Sequence, residues 1–326
     1  VGLRARGMRI LVFHGYSGNG SWQQQKDRRL QKLLSFFNVR LHYIDGSVQL
    51  PPFAAEGIHR RLSWWSIKRE DSWTKLLAYL HEVFRRDGPF DGVMGYSQGA
   101  AVAGGLAAEM LVGRFPDMFR FAIVVCGYLA PTPDLKQLIE LLDRPERPRE
   151  SHTTALRWRR WKSVDVPEQS LFRLPTLHIM GEADKVTPVR MNLEMASLFA
   201  DPVLVRHPGG HHLPFATEPI RSLVLFLVPF MEAPSASRVL KEVEDGQELC
   251  LQCVSFRSEG ASHNKRWYCK ACWALWQSMA PLSSDEELGL VKELSLVEQS
   301  FYPPRGSPET SHSATELAPS TCRRWG

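Results

Sequence analysis

Residues 95–99 read Gly-Tyr-Ser-Gln-Gly, and this stretch indicates the fold of the surrounding chain. It follows the apolar run at 90–94 and opens a segment crowded with alanine and glycine. A Gly-x-Ser-x-Gly sequence between a strand and a helix is typical of a nucleophile elbow, a strained turn that exposes a serine hydroxyl. Ser97 is therefore the candidate nucleophile. The alternative is a glycine-rich turn with an idle serine.

The segments around this turn alternate between predicted strands and predicted helices as far as about residue 231. The predicted strands are continuous apolar runs at residues 9–14, 39–44, 90–95, 119–126, 175–180 and 203–207. The predicted helices lie at residues 21–37, 71–86, 98–115, 188–199 and 215–231. Apolar runs of this kind fit strands with helices on both faces. The pattern predicts an α/β fold with a doubly wound, mainly parallel sheet of about six strands.

A serine nucleophile needs a general base and a carboxylate that orients the base, and in this kind of fold the acid precedes the histidine in the chain. Asp184 follows the predicted strand 175–180, at the sheet edge where α/β proteins collect their ligand-binding residues. Glu182 lies in the same loop and is the competing acid. The position within the loop favours Asp184.

The candidate base is His211, which follows two glycines after the predicted strand 203–207. Glycines permit the sharp turn that would direct an imidazole back over the end of the sheet. His212 is the rival, whereas His178 and His207 lie within strands and are expected to be structural. An imidazole can accept the serine proton and return it to the leaving group near neutral pH.

Two backbone amides are expected to stabilise the negative oxygen of the reaction. The Gln98 amide follows the nucleophile directly, and the Tyr16 amide lies in the glycine-rich loop 14–20 after the first predicted strand. Removing one donor of such an oxyanion hole typically raises the barrier by about 3 kcal/mol. His14 ends that strand and is expected to shape the turn.

Several separated motifs occur in an order that resembles one family. They are His14-Gly15-Tyr16, Trp64-Trp65, the run from Gly88 to Ala100, the run from Leu177 to Pro188, and Gly209-Gly210-His211-x-Leu213-Pro214. Over residues 8 to 230 the chain resembles the eukaryotic FSH-type serine hydrolases, the family of the ovarian-cancer-associated esterase-like hydrolase. The resemblance implies the α/β-hydrolase fold and carboxylesterase or thioesterase chemistry on acyl substrates. It implies Ser97, Asp184 and His211 as the triad, and it favours His211 over His212.

The cysteines predict a second kind of site. Cys250 and Cys253 form one pair, and Cys269 and Cys272 form another after fifteen intervening residues. This spacing is typical of a zinc site in which four thiolates complete a tetrahedron, so the ion would be structural. Two disulfides or unreactive thiols are the alternatives. Zinc is the only cofactor that we expect, and none is expected for catalysis.

The remaining segments give a predicted domain organisation. A hydrolase domain at 8–231 contains an insertion at 132–171, and a polar linker at 232–248 leads to the zinc module at 249–276. An amphipathic helix at 283–299 and a disordered tail at 301–326 follow. The insertion could form part of a lid. Its tryptophans alternate with basic residues at 157–162, but the insertion's acidic residues nearly balance its basic ones, so a solvated loop is the favoured interpretation.

Composition narrows the functional classes. The 326 residues contain 40 Lys and Arg against 35 Asp and Glu, and this surplus is too small and too scattered to favour a nucleic-acid partner. No apolar run is long enough for a transmembrane helix, and no signal-peptide core precedes Met8, so a cytoplasmic or nuclear location is expected. The main hypothesis is an acyl-ester or thioester hydrolase. The alternative is an adaptor whose zinc module binds a protein or nucleic acid, with the hydrolase fold as scaffold.

Overall fold

The computed structural model describes residues 6–51, 60–66, 68, 71–111, 113, 115–130, 173–243, 247–263 and 266–278. A six-stranded sheet forms its centre. In chain order its strands are β1 (Met8–Phe13), β2 (Val39–Ile44), β5 (Gly92–Tyr96), β6 (Ala122–Val125), β7 (Thr176–Gly181) and β8 (Val203–His207). A short antiparallel pair, β3 (Val48–Gln49) and β4 (Leu62–Ser63), lies outside this sheet.

The six central strands are all parallel and lie in the order β2-β1-β5-β6-β7-β8. The predicted doubly wound, mainly parallel sheet is therefore confirmed. Parallel strands place their carboxyl ends at one edge of the sheet. Ser97, Asp184 and His211 each follow the end of a different strand, so the topology brings all three to that edge.

Helices cover both faces of the sheet. They are α1 (Gly20–Lys26), α2 (Arg28–Phe36), α3 (Ser72–Asp87), α4 (Gln98–Leu111), α5 (Val189–Ala196), α6 (Thr217–Leu227) and α7 (Ala233–Glu242). Successive residues of a strand point to opposite faces. Accordingly, Leu11 and Phe13 of β1 pack in the core with α3 and α4, whereas Ile10 and Val12 pack in the core with α2, α6 and α7.

The predicted single helix at 21–37 is in fact two helices, α1 and α2, which meet at Asp27. Asp27 is buried, and its carboxylate accepts hydrogen bonds from the hydroxyls of Tyr43 and Tyr96 at 3.1 and 2.9 Å. These partners lie on β2 and β5, so the interaction that fixes this junction is not visible in local sequence.

Residues 233–242, which were expected to lie in a polar linker, form helix α7 instead. Val239 on this helix is fully buried, and Val243 just after it is also buried. Both pack in the core with Ile220 and Leu223 of α6. One apolar residue per turn is enough to dock this helix, although half of its residues are polar.

The cysteine-bearing segment consists of short elements. They are the antiparallel pairs β9 (Glu248–Cys250) with β10 (Ser255–Arg257) and β11 (Gly260–His263) with β12 (Arg266–Cys269), followed by α8 (Lys270–Ser278). As far as Trp273, this segment belongs to the same compact unit as the central sheet. It is therefore packed against the sheet domain rather than separated from it.

Three expectations lie outside the described residues: the insertion at 132–171, the amphipathic helix at 283–299 and the tail at 301–326. Among the helices that are described, none combines the length and the apolar character that crossing a bilayer requires.

Candidate active site

Ser97 lies in the tight turn between β5 and α4. Its backbone φ is 54°, in the left-handed region that residues other than glycine rarely adopt. The turn requires glycine on both sides. A Cβ at Gly95 would lie 2.0 Å from the carbonyl oxygen of Gly99, and a Cβ at Gly99 would lie 2.3 Å from the carbonyl oxygen of Phe13. The geometry is that of a nucleophile elbow, with a half-buried serine at the end of β5.

The side chain of Gln98 anchors this turn from inside the protein. Its Oε1 accepts hydrogen bonds from Ser63 Oγ at 3.0 Å and from the Trp64 amide at 3.1 Å. Gln98 is buried, so this side chain faces away from the solvent side of Ser97. Only the Gln98 amide is therefore available to a substrate. No acceptor for that amide, or for the amide of Tyr16, occurs within the described part of the chain.

The loop after β1 lies against the nucleophile. A Cβ at Gly15 would be 3.5 Å from Ser97 Cβ, so the backbone that leads into Tyr16 passes next to the serine. His14 holds this loop in place. Its Nδ1 lies 2.7 Å from the carbonyl oxygen of Gly15, and its Nε2 accepts the Gly46 amide at 2.9 Å. Burial lowers the pKa of His14, which favours the neutral ring that this pair of contacts requires.

Asp184 lies in the loop after β7, with a fully buried carboxylate. The amides of Val186 and Thr187 donate to its Oδ1 at 2.8 and 2.9 Å. Its Oδ2 lies 2.7 Å from His211 Nδ1 and 2.8 Å from Thr187 Oγ1. Four donors therefore surround one carboxylate. Such an environment favours the ionised form and holds the group rigidly.

The protonation of Asp184 results from two opposing effects. Burial raises the pKa of a carboxyl group because it removes water from the charged form. At Asp184 the hydrogen bonds from Thr187, His211 and Val186 outweigh burial, and its pKa is lowered from the ordinary value. The carboxylate is therefore ionised at neutral pH and can hold the Nδ1–H of His211.

His211 follows Gly209 and Gly210 at the end of β8, and about a quarter of its side chain is exposed. Its Nδ1 is engaged by Asp184, which leaves Nε2 as the basic atom. No hydrogen bond joins Ser97 Oγ to His211 Nε2 within the described residues. In free enzymes such bonds are often long and tighten only when substrate binds.

The rival candidates have different surroundings. Glu182 is exposed, and the ring of His212 packs against that of His207, with 5.4 Å between ring centroids. His178 is fully buried, and burial lowers its pKa to about 3, so it stays neutral inside β7. The structure thus brings Asp184 together with His211 and leaves Glu182 at the surface.

Two neighbours of the Asp184–His211 pair carry no recognisable sequence signal. Thr187 Oγ1 lies between Asp184 Oδ2 and the carbonyl oxygen of Cys126, at 2.8 and 3.1 Å. Cys126 follows β6, and its Sγ forms a cluster with Asp184 and His211 in which the polar atoms are within 4.8 Å of one another. Burial raises the pKa of this thiol to about 12, so it remains protonated.

The predicted zinc ligands are also brought together. The Sγ atoms of Cys250, Cys253, Cys269 and Cys272 all lie within 4.8 Å of one another. Two of these residues are buried and two are half-buried. No disulfide links them.

Comparison with known proteins identifies relatives. The profile of the serine hydrolase (FSH1) family matches residues 5–223. Esterase OVCA2 of Danio rerio is 28% identical over 254 residues, which cover 68% of this chain and 97% of that protein. Esterase OVCA2 of Homo sapiens is 32% identical over 158 residues, which cover 48% of this chain and 57% of that protein.

Among solved structures, the acyl-protein thioesterase 2 of Zea mays is 19% identical, with a TM-score of 0.42 over 66% of this chain and 91% of that chain. The family assignment rests on the profile match, which spans the central sheet from β1 to α6 and includes Ser97, Asp184 and His211. The chain is a member of the serine hydrolase (FSH1) family.

Proposed function

We propose that this serine hydrolase cleaves carboxylic ester or thioester bonds of acyl substrates, with Ser97, His211 and Asp184 as its catalytic triad. The observation that carries the proposal is the 2.7 Å contact between Asp184 Oδ2 and His211 Nδ1, at the same sheet edge as the strained Ser97 turn. The esterase names of the relatives support an ester substrate.

The chemistry follows from the roles of these groups. Ser97 Oγ attacks the acyl carbonyl carbon while His211 Nε2 accepts the hydroxyl proton. The ionised Asp184 keeps the other imidazole proton on Nδ1 and stabilises the imidazolium that forms. His211 then gives the proton to the departing alcohol or thiol, which leaves an acyl group on Ser97. Water, activated by the same imidazole, releases the carboxylic acid and regenerates the serine.

The negative oxygen of each tetrahedral intermediate would be held by the amides of Tyr16 and Gln98. The proposal is supported by the proximity of the Gly15 backbone to Ser97 and by the position of Gln98 at the start of α4. The positive end of the helix dipole favours an anion at this position. Because backbone amides supply both donors, side-chain substitutions at Tyr16 and Gln98 leave the donors themselves in place.

The alternative, a zinc-finger adaptor on an inactive hydrolase fold, has less support. A serine kept at a φ of 54° represents strain, and such strain is usually retained at functional sites. A protein partner for the cysteine-bearing segment is compatible with catalysis, since none of the proposed triad residues lies in that segment.

Hydrolysis of a matched series of esters and thioesters of increasing acyl length tests the proposal. Wild-type protein should turn over at least one acyl series, and Ser97→Ala should lose about 10³-fold or more in kcat while its fold is unchanged. The preferred leaving group then assigns the enzyme as an esterase or a thioesterase. Equal turnover by wild type and Ser97→Ala would overturn the proposal.

A further inference from the structure

We propose that Cys250, Cys253, Cys269 and Cys272 bind one structural zinc ion, and that this ion joins the β9–β10 hairpin to β12 and the start of α8, and so holds the hairpin in the form that packs against the hydrolase core. The metal would then stabilise the catalytic domain itself rather than an independent module. This inference does not depend on the proposed esterase activity, because its measurements need no substrate.

The arrangement of the sulfur atoms fits a tetrahedral zinc site. The Sγ atoms of Cys253 and Cys269 are 3.8 Å apart, although these residues come from different pairs. With Zn–S bonds of about 2.3 Å, the edge of a regular tetrahedron is about 3.8 Å. All four sulfur atoms lie within 4.8 Å of one another, which is close to that spacing. Four protein ligands leave no open position, so the ion would be structural.

Disulfides fit this geometry less well. A disulfide needs sulfur atoms about 2.05 Å apart. The contact of 3.8 Å also joins a residue of the first pair to one of the second, rather than the partners within a pair. A tetrahedral set of four sulfurs is typical of zinc or iron sites. Zinc is the occupant that we propose.

The hairpin that carries the first two cysteines belongs to the hydrolase core. Leu249 on β9, Val254 in the turn and Phe256 on β10 are all buried. They lie in the same apolar cluster as Leu223 of α6 and Val239 of α7. The cysteine-bearing segment therefore shares its apolar core with the catalytic domain.

Polar contacts fix the same hairpin to α6. Thr217 Oγ1 donates to Glu248 Oε2 at 2.5 Å and accepts the Leu249 amide at 3.1 Å. The guanidinium of Arg221 donates to the carbonyl oxygen of Gln247 and lies over the ring of Phe256, 5.6 Å from its centroid. Both anchors lie on a helix that follows the His211 loop.

The turn between β9 and β10 contains one residue with a strained backbone. Val254 has a φ of 60°, which is rare for a β-branched residue. Its amide donates to the carbonyl oxygen of Cys250 at 2.9 Å, and its side chain is buried in the core. Strain of this kind persists only where surrounding interactions fix the backbone. A metal bound to Cys250 and Cys253 would supply that constraint on one side, and the hydrolase core supplies it on the other.

The first measurement is the metal content of the purified full-length chain by elemental mass spectrometry. Wild type should contain one zinc ion per chain, and Cys253→Ser and Cys272→Ser should contain far less. Cys322→Ser, which leaves the four ligands intact, is the matched control and should retain zinc. Wild type that lacks zinc, contains iron in its place, or shows disulfides among the four cysteines by mass mapping would overturn the site.

Cobalt substitution keeps the site testable if the cysteine variants fail to fold. Wild-type chain loaded with Co²⁺ should show the intense visible absorption of tetrahedral cobalt with thiolate charge-transfer bands. The weak spectrum of octahedral cobalt, or no bound cobalt, would contradict four-sulfur coordination.

The second measurement tests the link between metal and hydrolase core. Chelation should lower the Tm of the full-length chain by about 5 °C or more, and one equivalent of zinc should restore it. Hydrogen exchange should quicken in Thr217–Leu227 and Ala233–Glu242 of the metal-free chain but not in Ser72–Asp87, which packs in the core on the other face of the sheet. If zinc is removed while the Tm and the exchange of α6 and α7 stay unchanged, the ion does not support the core, and this part of the inference fails.

Discussion

Ser97 and Cys126 end adjacent strands, and both have left-handed backbone conformations, with φ values of 54° and 52°. Each such residue costs about 1 kcal/mol relative to an ordinary conformation. The Ser97 amide donates to the carbonyl oxygen of Val125 at 2.9 Å, so the two turns also support one another. Strained backbone conformations are common at functional sites. The two strained residues lie at the same sheet edge as the ionised carboxylate of Asp184, so they support the assignment of the active site to this edge.

Substitution of the two acids in the loop after β7 tests their roles. Asp184→Asn should lower kcat by about 10³- to 10⁴-fold, because an amide cannot keep the imidazole proton on Nδ1 and cannot stabilise the imidazolium. Glu182→Gln is the matched control and should stay within about twofold of wild type, since surface changes away from such features have small effects. Steady-state kinetics on one ester, with the Tm of each variant, would measure both. A larger loss at Glu182 than at Asp184 would reverse the assignment.

At this scale the sequence predicts the members of the site but not all of their partners. Ser97, Asp184 and His211 each follow a strand within a recognisable motif. Thr187 cannot be recognised in this way, because a threonine three residues after an acid is common. Its role depends on its contacts to Asp184, His211 and Cys126. The contacts to Cys126 and His211 depend on the ends of β6 and β8, which are distant in the chain.

At the scale of elements, the β5–α4 turn depends on close backbone contact. Gly99→Ala should destabilise the protein by about 3 kcal/mol or more, because its Cβ would meet the Phe13 carbonyl oxygen at 2.3 Å and backbone cannot yield easily. Gly210→Ala is the control, because its Cβ would find its nearest contact at 3.8 Å. Urea unfolding of both variants would show the difference. Equal effects at the two positions would contradict this account of the turn.

The junction of α1 and α2 predicts a dependence of stability on pH. Burial raises the pKa of Asp27 from 3.8 to about 6, although hydrogen bonds from Gln23, Tyr96 and Tyr43 oppose the shift. The folded state therefore binds a proton more tightly than the unfolded state between these values. The contribution of Asp27 to stability falls as pH rises through this range, by up to about 3 kcal/mol above pH 6.

Asp27→Asn removes this titration. When the pH rises from 4.5 to 7.5, the stability of the variant minus that of wild type should therefore increase by about 1 to 3 kcal/mol. Urea titrations of both proteins at the two pH values would measure it. A difference between variant and wild type that does not change with pH would show that Asp27 titrates alike in the folded and unfolded states.

The elements themselves are predicted well where long apolar runs occur. Val39–Ile44 and Val203–His207 agree with the expected strands residue for residue. The β3–β4 pair is not predicted because each strand has only two residues, too few for a sequence pattern, and forms only by pairing with the other. Helix α7 is not predicted because only Val239 and Val243, rather than a continuous apolar face, pack it against α6.

At the scale of the whole molecule, the cysteine-bearing segment and the catalytic domain share one core. The sequence predicts a zinc module at 249–276 that a polar linker separates from the hydrolase domain. In the structure, Leu249, Val254 and Phe256 are instead buried against α6 and α7. Sequence cannot distinguish these outcomes, because periodicity shows which residues are buried but not which element buries them.

Phe256→Ala should therefore destabilise the hydrolase domain, by about 3 to 5 kcal/mol. The ring is almost fully buried against apolar side chains and lies under Arg221. Leu240→Ala is the control, because that side chain is 51% exposed on α7. The measurement is the unfolding of the central sheet, monitored by hydrogen exchange in β1 and β5. If Phe256→Ala leaves exchange in these strands unchanged, the segment is energetically separate from the catalytic domain.

The proposed function requires that Ser97 be a nucleophile activated by His211. The most direct test is mass spectrometry of the folded full-length chain after reaction with a fluorophosphonate, followed by peptide mapping. One adduct per chain is expected, located on Ser97, absent from Ser97→Ala and formed far more slowly by His211→Ala. An adduct on another residue, or no adduct on protein that hydrolyses esters, would contradict it.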